Sequence, residues 1–230
     1  MKIVKDYIPK QNLNKKFWQK DKLNQEVRKK LLEIANFFIN SLDFDIDVLD
    51  IHFTGSLANY NWNAASDIDL HIIVDYNKIG DYNLVLDYFK TKKDEWDINQ
   101  DVQIYGFSVE IFVEDLKAFE EKDWNAVYSL ETDQWIREPK KENVKLDYDL
   151  IKRKVRSFNN MINNLDPETS SLEQAKRVKD KIMKYRTAGL EKKGELANEN
   201  IVFKVLRRLD KINDLKEIIA QIKDRKLSLD

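Results

Sequence analysis

GSLANYNWNAASDIDL, residues 55–70, is the stretch on which the reading of this chain turns. Before it stands DFDIDVLDIHFT, in which Val48, Ile51 and Phe53 form a short β-rich run ending at Gly55. That pattern predicts a strand. Ser56 to Trp62 then reads as a turn or short helix. Asp67 to Asp75 reads as a second strand: Ile68, Leu70 and Ile72 alternate with Asp67, Asp69 and His71. The IIV at its end suggests burial on both faces.

The chemistry of this strand-turn-strand follows from its residue types. A Gly-Ser pair just after a strand presents backbone N–H groups, and with the Ser hydroxyl these can hold phosphate oxygens. Glycine permits the backbone conformation and a close approach. Asp67 and Asp69 lie two apart on a strand, so both carboxylates project from one face. Neighbouring carboxylates repel and are costly unless a cation stands between them. Hard oxygen ligands of this kind suit Mg²⁺ or Mn²⁺, which also keep substrate phosphates as ligands. Glu110, in the β-rich run FSVEIFV, is the candidate third carboxylate. From an adjacent strand it would complete a two-metal site for phosphoryl displacement and help activate an attacking hydroxyl. Glu114 and Asp115 lie past the apolar run and rank below it.

The pair Gly55–Ser56, the ten residues before Asp67, the Asp67-x-Asp69 pattern and a later acidic residue together resemble the signature of the polymerase-beta-like nucleotidyltransferase superfamily. The string Ser66-Asp67-Ile68-Asp69-Leu70 looks like that of its minimal, antibiotic and oligonucleotide branches. The order of elements over residues 45–115 is similar to the family core, and the chain is also similar to nucleotidyltransferase-like proteins of bacteria and their phages. The resemblance implies transfer of a nucleoside monophosphate from an NTP, ATP among the candidates, to a hydroxyl or phosphate acceptor with release of pyrophosphate. It implies that Gly55 and Ser56 contact the nucleotide and that Asp67, Asp69 and Glu110 are catalytic and hold two Mg²⁺ or Mn²⁺ ions. The acceptor is open: a small molecule, a protein or an RNA end.

Around this centre, Asp21 to Leu42 reads as an amphipathic helix, with Val27, Leu31, Leu32, Ile34, Ala35 and Phe38 at helical spacing. Asp81 to Trp96 reads as another, with Leu84, Leu86, Tyr88 and Phe89 as its apolar residues. VQIYG and FSVEIFV predict a β-hairpin turning near Gly106. A mixed segment containing Trp124, Tyr128 and Trp135 runs to about Val144. Beyond Asp147, residues 148–163, 168–192 and 197–226 show helical periodicity alone. Asp166-Pro167-Glu168 marks a helix start, with Asp as cap and Pro in the first position, and Gly194 marks a break. The expected fold class is α+β: a small mixed β-sheet nucleotidyltransferase core with flanking helices over 1–146, followed by an all-helical domain over 147–230.

Composition narrows the alternatives. Forty Lys and Arg against 41 Asp and Glu leave a formal charge of −1, which disfavours long nucleic acid as an obligatory acceptor. The chain is short for the duplex-binding domains of a template-directed polymerase. With no cysteine and two histidines, thiol chemistry, zinc–cysteine clusters and histidine-rich metal sites are excluded. No apolar run approaches the ~20 residues of a membrane span, and the first residues do not read as a secretory signal, so a soluble cytoplasmic protein is expected. His71 shares a strand face with Asp69 and reads as packing rather than as support for metals; His52 reads as buried structure. Tyr60 and Trp62 could stack on a base or pack on a helix. Arg177, Lys181, Lys184, Arg186 and the Lys204–Arg208 run could reach a triphosphate or simply be solvated helix surface. Two other functions compete: a catalytically silent or regulatory nucleotide-binding protein, such as an antitoxin-like partner, and a phosphohydrolase using the same acids. The intact acid pair counts against the first, and the Gly-Ser spacing against the second.

Overall fold

A computed structural model describes residues 2–141 and 144–229 of the chain. These residues divide into two compact units, one within Pro9–Glu142 and the other drawn from Met1–Ile8 and Asn143–Asp230.

The C-terminal unit begins with α1 (Lys2–Lys5). Val4 and Tyr7 are buried in its core, and the Tyr7 hydroxyl donates to Lys204 O (3.1 Å).

The other unit is built on strands. A small hairpin, β1 (Trp18–Gln19) and β2 (Lys22–Leu23), turns through Lys20, whose φ is 57°. Then comes α2 (Gln25–Ile39). The apolar periodicity starts earlier, at Asp21, but Trp18 and Leu23 are drawn into the core, and Asn24 starts the helix by accepting from Glu26 N (2.9 Å). β3 (Asp50–Thr54) and β4 (Ile68–Val74) follow, antiparallel to each other. After α3 (Tyr82–Asn99) come β5 (Gln103–Ile104) and β6 (Phe107–Asp115), joined by the expected tight turn through Tyr105 and Gly106, both at positive φ. The short α4 (Leu116–Glu120) precedes β7 (Val127–Ser129) and β8 (Gln134–Arg137), two strands within the segment that sequence left mixed.

The six strands form a mixed sheet in the order β5-β6-β4-β3-β7-β8, and only the β4–β6 pair is parallel. Parallel neighbours need a crossover, and α3 supplies it. Ile51, Phe53, Ile68, Leu70, Ile72, Val74, Val109, Ile111 and Val113 are all buried in one cluster with Val27, Leu31, Phe38, Val85, Phe89 and Trp96 from α2 and α3. Leu84 belongs outside it: it is 72% exposed, and Val85 takes the buried position instead. Near β3, Trp18 stacks on Phe53 (5.6 Å between ring centroids) and Trp135 (4.6 Å), and its indole N–H donates to Leu57 O (2.7 Å).

The C-terminal unit continues with α5 (Tyr148–Asn163), α6 (Leu172–Lys193), α7 (Asn198–Arg208) and α8 (Lys211–Leu227). On α5, Ile151, Val155, Phe158 and Ile162 form the buried stripe. The helix start expected at Asp166 is instead a turn. Asp166 accepts from Glu168 N (2.9 Å) and Thr169 Oγ1 (2.9 Å), and Ser170 N closes on Asp166 O (2.8 Å). α6 begins after it, where Ser171 and Gln174 form a capping box. The single helix expected over 197–226 is two, because Asp210 adopts a left-handed conformation (φ 63°) between α7 and α8. Aspartate visits that region more readily than most residues. Among the described residues no helix is long and apolar enough to cross a membrane.

Candidate active site

β3, β4 and β6 bring the sequence candidates to one level of the sheet. Asp69 is the register partner of Thr54 on β3 and of Glu110 on β6. Residues paired in register project to the same face, so Thr54, Asp69 and Glu110 form a row across three adjacent strands. The burial patterns agree with this. Asp69 is the one position of β4 that is not fully buried. On β6 burial alternates, with Val109, Ile111 and Val113 inward and Glu110, Phe112 and Glu114 partly exposed on the opposite face. Asp67 stands one residue before β4, and Gly55 and Ser56 follow directly on β3. Three acids on β6 were possible partners for Asp69, and register separates them: Glu114 is level with Ile73 and Asp115 with Val74. Glu114 contacts His71 and Lys122, while Asp115 accepts from Tyr76 N (3.0 Å) and caps α4 through Ala118 N (3.2 Å).

Gly55 is fitted against Asp69. Its φ is +75°, and a Cβ placed on it would lie 1.6 Å from Asp69 Oδ2. Any side chain here would occupy the place of the Asp69 carboxylate. This is the close approach that only glycine allows. Beside it, the Thr54 hydroxyl is fully buried and makes no hydrogen bond.

The loop between β3 and β4 is closed by its own polar groups. Ser56 Oγ donates to Ser66 Oγ (2.7 Å), and Asn63 N donates to the same oxygen (2.9 Å). Ser66 N donates to Asn63 O (3.1 Å), and Ala65 N to Asn63 Oδ1 (2.9 Å). Leu57 and Ala58 are buried in the core and root the loop. Trp62 donates its indole N–H to Asn12 O (2.9 Å), and Lys10 N donates to Tyr60 O (2.6 Å), so both aromatic residues are tied to the segment before β1.

One register step from the carboxylate row, the same face is aromatic. His52 and His71 are register partners. The His71 ring stacks on Phe112 (4.7 Å, 13°) and meets Trp124 edge-on (5.1 Å), while His52 lies against Phe119 (4.8 Å). Both histidines are buried, in keeping with a packing role. Burial holds the His71 imidazole below its ordinary range, although Glu114 beside it pulls the other way. Burial opposes the charge on Glu114, but His71 and Lys122 outweigh it and hold that carboxyl low.

The donor set of Asp67, Asp69 and Glu110 has the chemistry that Mg²⁺ or Mn²⁺ prefers, and two of its three members are side by side in register. Among the described residues, no group of three or more His, Asp or Glu side chains stands together as a ready metal cage. Ser66 carries no signature of its own in the sequence beyond its position as a small hydroxyl residue directly before Asp67; its place between Ser56 and Asn63 emerges from the fold.

A family model described as a nucleotidyltransferase domain matches residues 20–157, more than half of the chain. No curated protein and no solved structure matches the sequence. The match spans the whole strand-turn-strand unit and the β6 strand that pairs with it, and the chain belongs to the nucleotidyltransferase domain family.

Proposed function

We propose that this chain moves a nucleoside monophosphate from an NTP to a hydroxyl or phosphate acceptor and releases pyrophosphate, in a reaction that depends on Mg²⁺ or Mn²⁺. The acceptor oxygen forms a bond to the α-phosphorus. The bond from that phosphorus to the α–β bridging oxygen breaks, and pyrophosphate leaves with the electron pair. The observation that carries this reading is the row of Thr54, Asp69 and Glu110 across β3, β4 and β6, with Gly55 backed onto the Asp69 carboxylate.

In this reading Gly55 lets the chain turn while leaving room for the Asp69 carboxylate. The Ser56 hydroxyl and the neighbouring backbone N–H groups hold triphosphate oxygens. Asp67, Asp69 and Glu110 hold the two divalent ions, and Glu110 also orients the acceptor hydroxyl and takes up its proton. The ions, when bound, supply positive charge against the phosphates and favour ionisation of the acceptor. The acceptor is a small molecule, a protein side chain or an RNA end, and the reaction belongs to the cytoplasm.

The test incubates the purified chain with each of the four labelled NTPs and Mg²⁺ or Mn²⁺, with and without cell extract. Pyrophosphate release and label transfer that vanish in Asp67→Ala/Asp69→Ala support the reading. No turnover and no metal-dependent NTP binding would leave a fold kept for another kind of binding.

A further inference from the structure

We infer that Ser66 is a positioning residue for the triphosphate, acting through Ser56; this rests on the phosphate-binding role proposed for Ser56.

Ser66 is 7% exposed and fixed by three contacts. Its backbone N–H donates to Asn63 O (3.1 Å), its Oγ accepts from Asn63 N (2.9 Å), and the same Oγ meets Ser56 Oγ at 2.7 Å. Asn63 is itself buried, and its side chain accepts from Ala65 N (2.9 Å). The Ser66 oxygen therefore has a fixed position, set by main chain rather than by solvent.

A hydroxyl is one donor and two acceptor sites. The two hydroxyl oxygens stand 2.7 Å apart, and with the Ser56 proton between them Ser56 donates to Ser66. Turned that way, Ser56 offers only lone pairs to an incoming phosphate oxygen, and two acceptors do not bond. A hydroxyl pair can reverse. Ser66 keeps accepting from Asn63 N and turns its own proton toward Ser56. The Ser56 proton is then released toward the phosphate, with the Oγ–Oγ contact kept. Ser66 thus holds the Ser56 oxygen in place in both states and, by donating to a Ser56 lone pair, leaves Ser56's own proton aimed at the phosphate. A bond from hydroxyl to anion is charge-assisted and so worth more than a neutral one.

The consequence is a coupling between the two serines that a scaffolding role lacks. Binding of inorganic tripolyphosphate with Mg²⁺, which carries no base, and of the four NTPs with Mg²⁺ is measured by calorimetry on the full chain. The variants are Ser56→Ala, Ser66→Ala and the double variant. Each single change is expected to weaken binding about tenfold, the scale of one lost hydrogen bond to an anion. The double variant is expected to match the single ones, because Ser66 acts only through Ser56. In turnover the loss falls on KM with kcat near the wild-type value. Ser66→Ala and Ser66→Val both strip Asn63 N of its acceptor, so the cycle with Ser56→Ala carries the distinction, and Ser66→Thr, which keeps a hydroxyl, is measured beside Ser66→Val as the conservative rescue. Thr keeps tight binding and Val loses it.

Wild-type binding with Ser66→Ala unchanged would overturn the proposal, as would a second tenfold loss when Ser66→Ala is added to Ser56→Ala. Equal binding by the Thr and Val variants would do the same. Wild-type protein that binds neither tripolyphosphate nor any NTP removes the phosphate role of Ser56 itself, and the role of Ser66 with it.

Discussion

Gly55→Ala tests the fit between the β3 turn and the carboxylate row. Two effects separate in magnitude. Gly55 has a φ of +75°, and an L-residue held there costs about 1–2 kcal/mol. In a chain of this size that lowers Tm by roughly 2–8 °C. The second effect is local. The new Cβ would lie 1.6 Å from Asp69 Oδ2 and 2.6 Å from its Cγ, whereas ordinary contact begins at 3.4 Å. The Asp69 carboxylate must therefore withdraw by about 1.8 Å. A misplacement of ~1 Å at a reacting centre can cost about 10²-fold in rate. The control is Gly106→Ala. Gly106 also has a positive φ (+84°), but nothing lies within 4 Å of its Cβ position. Both variants are expected to melt lower, and only Gly55→Ala to lose NTP turnover, by about 10²-fold or more. Thermal melting followed by pyrophosphate release reads both effects. A Gly55→Ala protein that turns over as fast as Gly106→Ala would refute the fit between Gly55 and Asp69.

Three further outcomes concern stability. Thr54→Val removes a buried hydroxyl that has no hydrogen-bond partner, so it is expected to leave the melting temperature unchanged or raise it; a clear fall would show that the hydroxyl is satisfied in solution. Ser171→Ala breaks the capping box at the start of α6 and should cost about 0.5–2 kcal/mol in denaturant titration. Glu195 in the C-terminal unit is desolvated by burial, yet Lys204 Nζ at 2.6 Å, Asn200 Nδ2 at 3.0 Å and nearby Arg186 hold its carboxyl below its ordinary 4.5. A carboxyl lowered in the folded state stabilises above its unfolded value and loses that contribution as pH falls through its folded one. The unit should therefore weaken as pH drops below about 4.5, and Glu195→Gln should flatten that dependence. An acid titration of equal slope in both proteins would contradict the assignment.

What sequence revealed was local. Gly55, Asp67 and Asp69 lie within one strand-turn-strand, so period-two alternation and a single glycine were enough to outline it. The β5–β6 hairpin was readable because Gly106 marks its turn. What stayed hidden depended on contacts between distant segments. β7 and β8 have three and four residues and no clean alternation, and β7 finds its place by pairing with β3, which is remote in sequence. The register that levels Glu110 with Asp69 depends on how α3 carries the chain across the sheet. The Ser56–Ser66 contact joins residues ten apart in a loop with no periodicity to reveal it. At Asp166, local preference was read correctly as a capping side chain but assigned to a helix; the capping box that begins five residues on, at Ser171, had two reciprocal hydrogen bonds to offer, and α6 begins there.

The most direct test of the central claim is NTP turnover by the full chain with Mg²⁺ or Mn²⁺, wild type against Asp67→Ala/Asp69→Ala. Pyrophosphate release and nucleotide transfer by the wild type, lost in the variant while its melting temperature is retained, is the predicted result. Turnover that survives in the variant, or none by the wild type with any of the four NTPs, contradicts it.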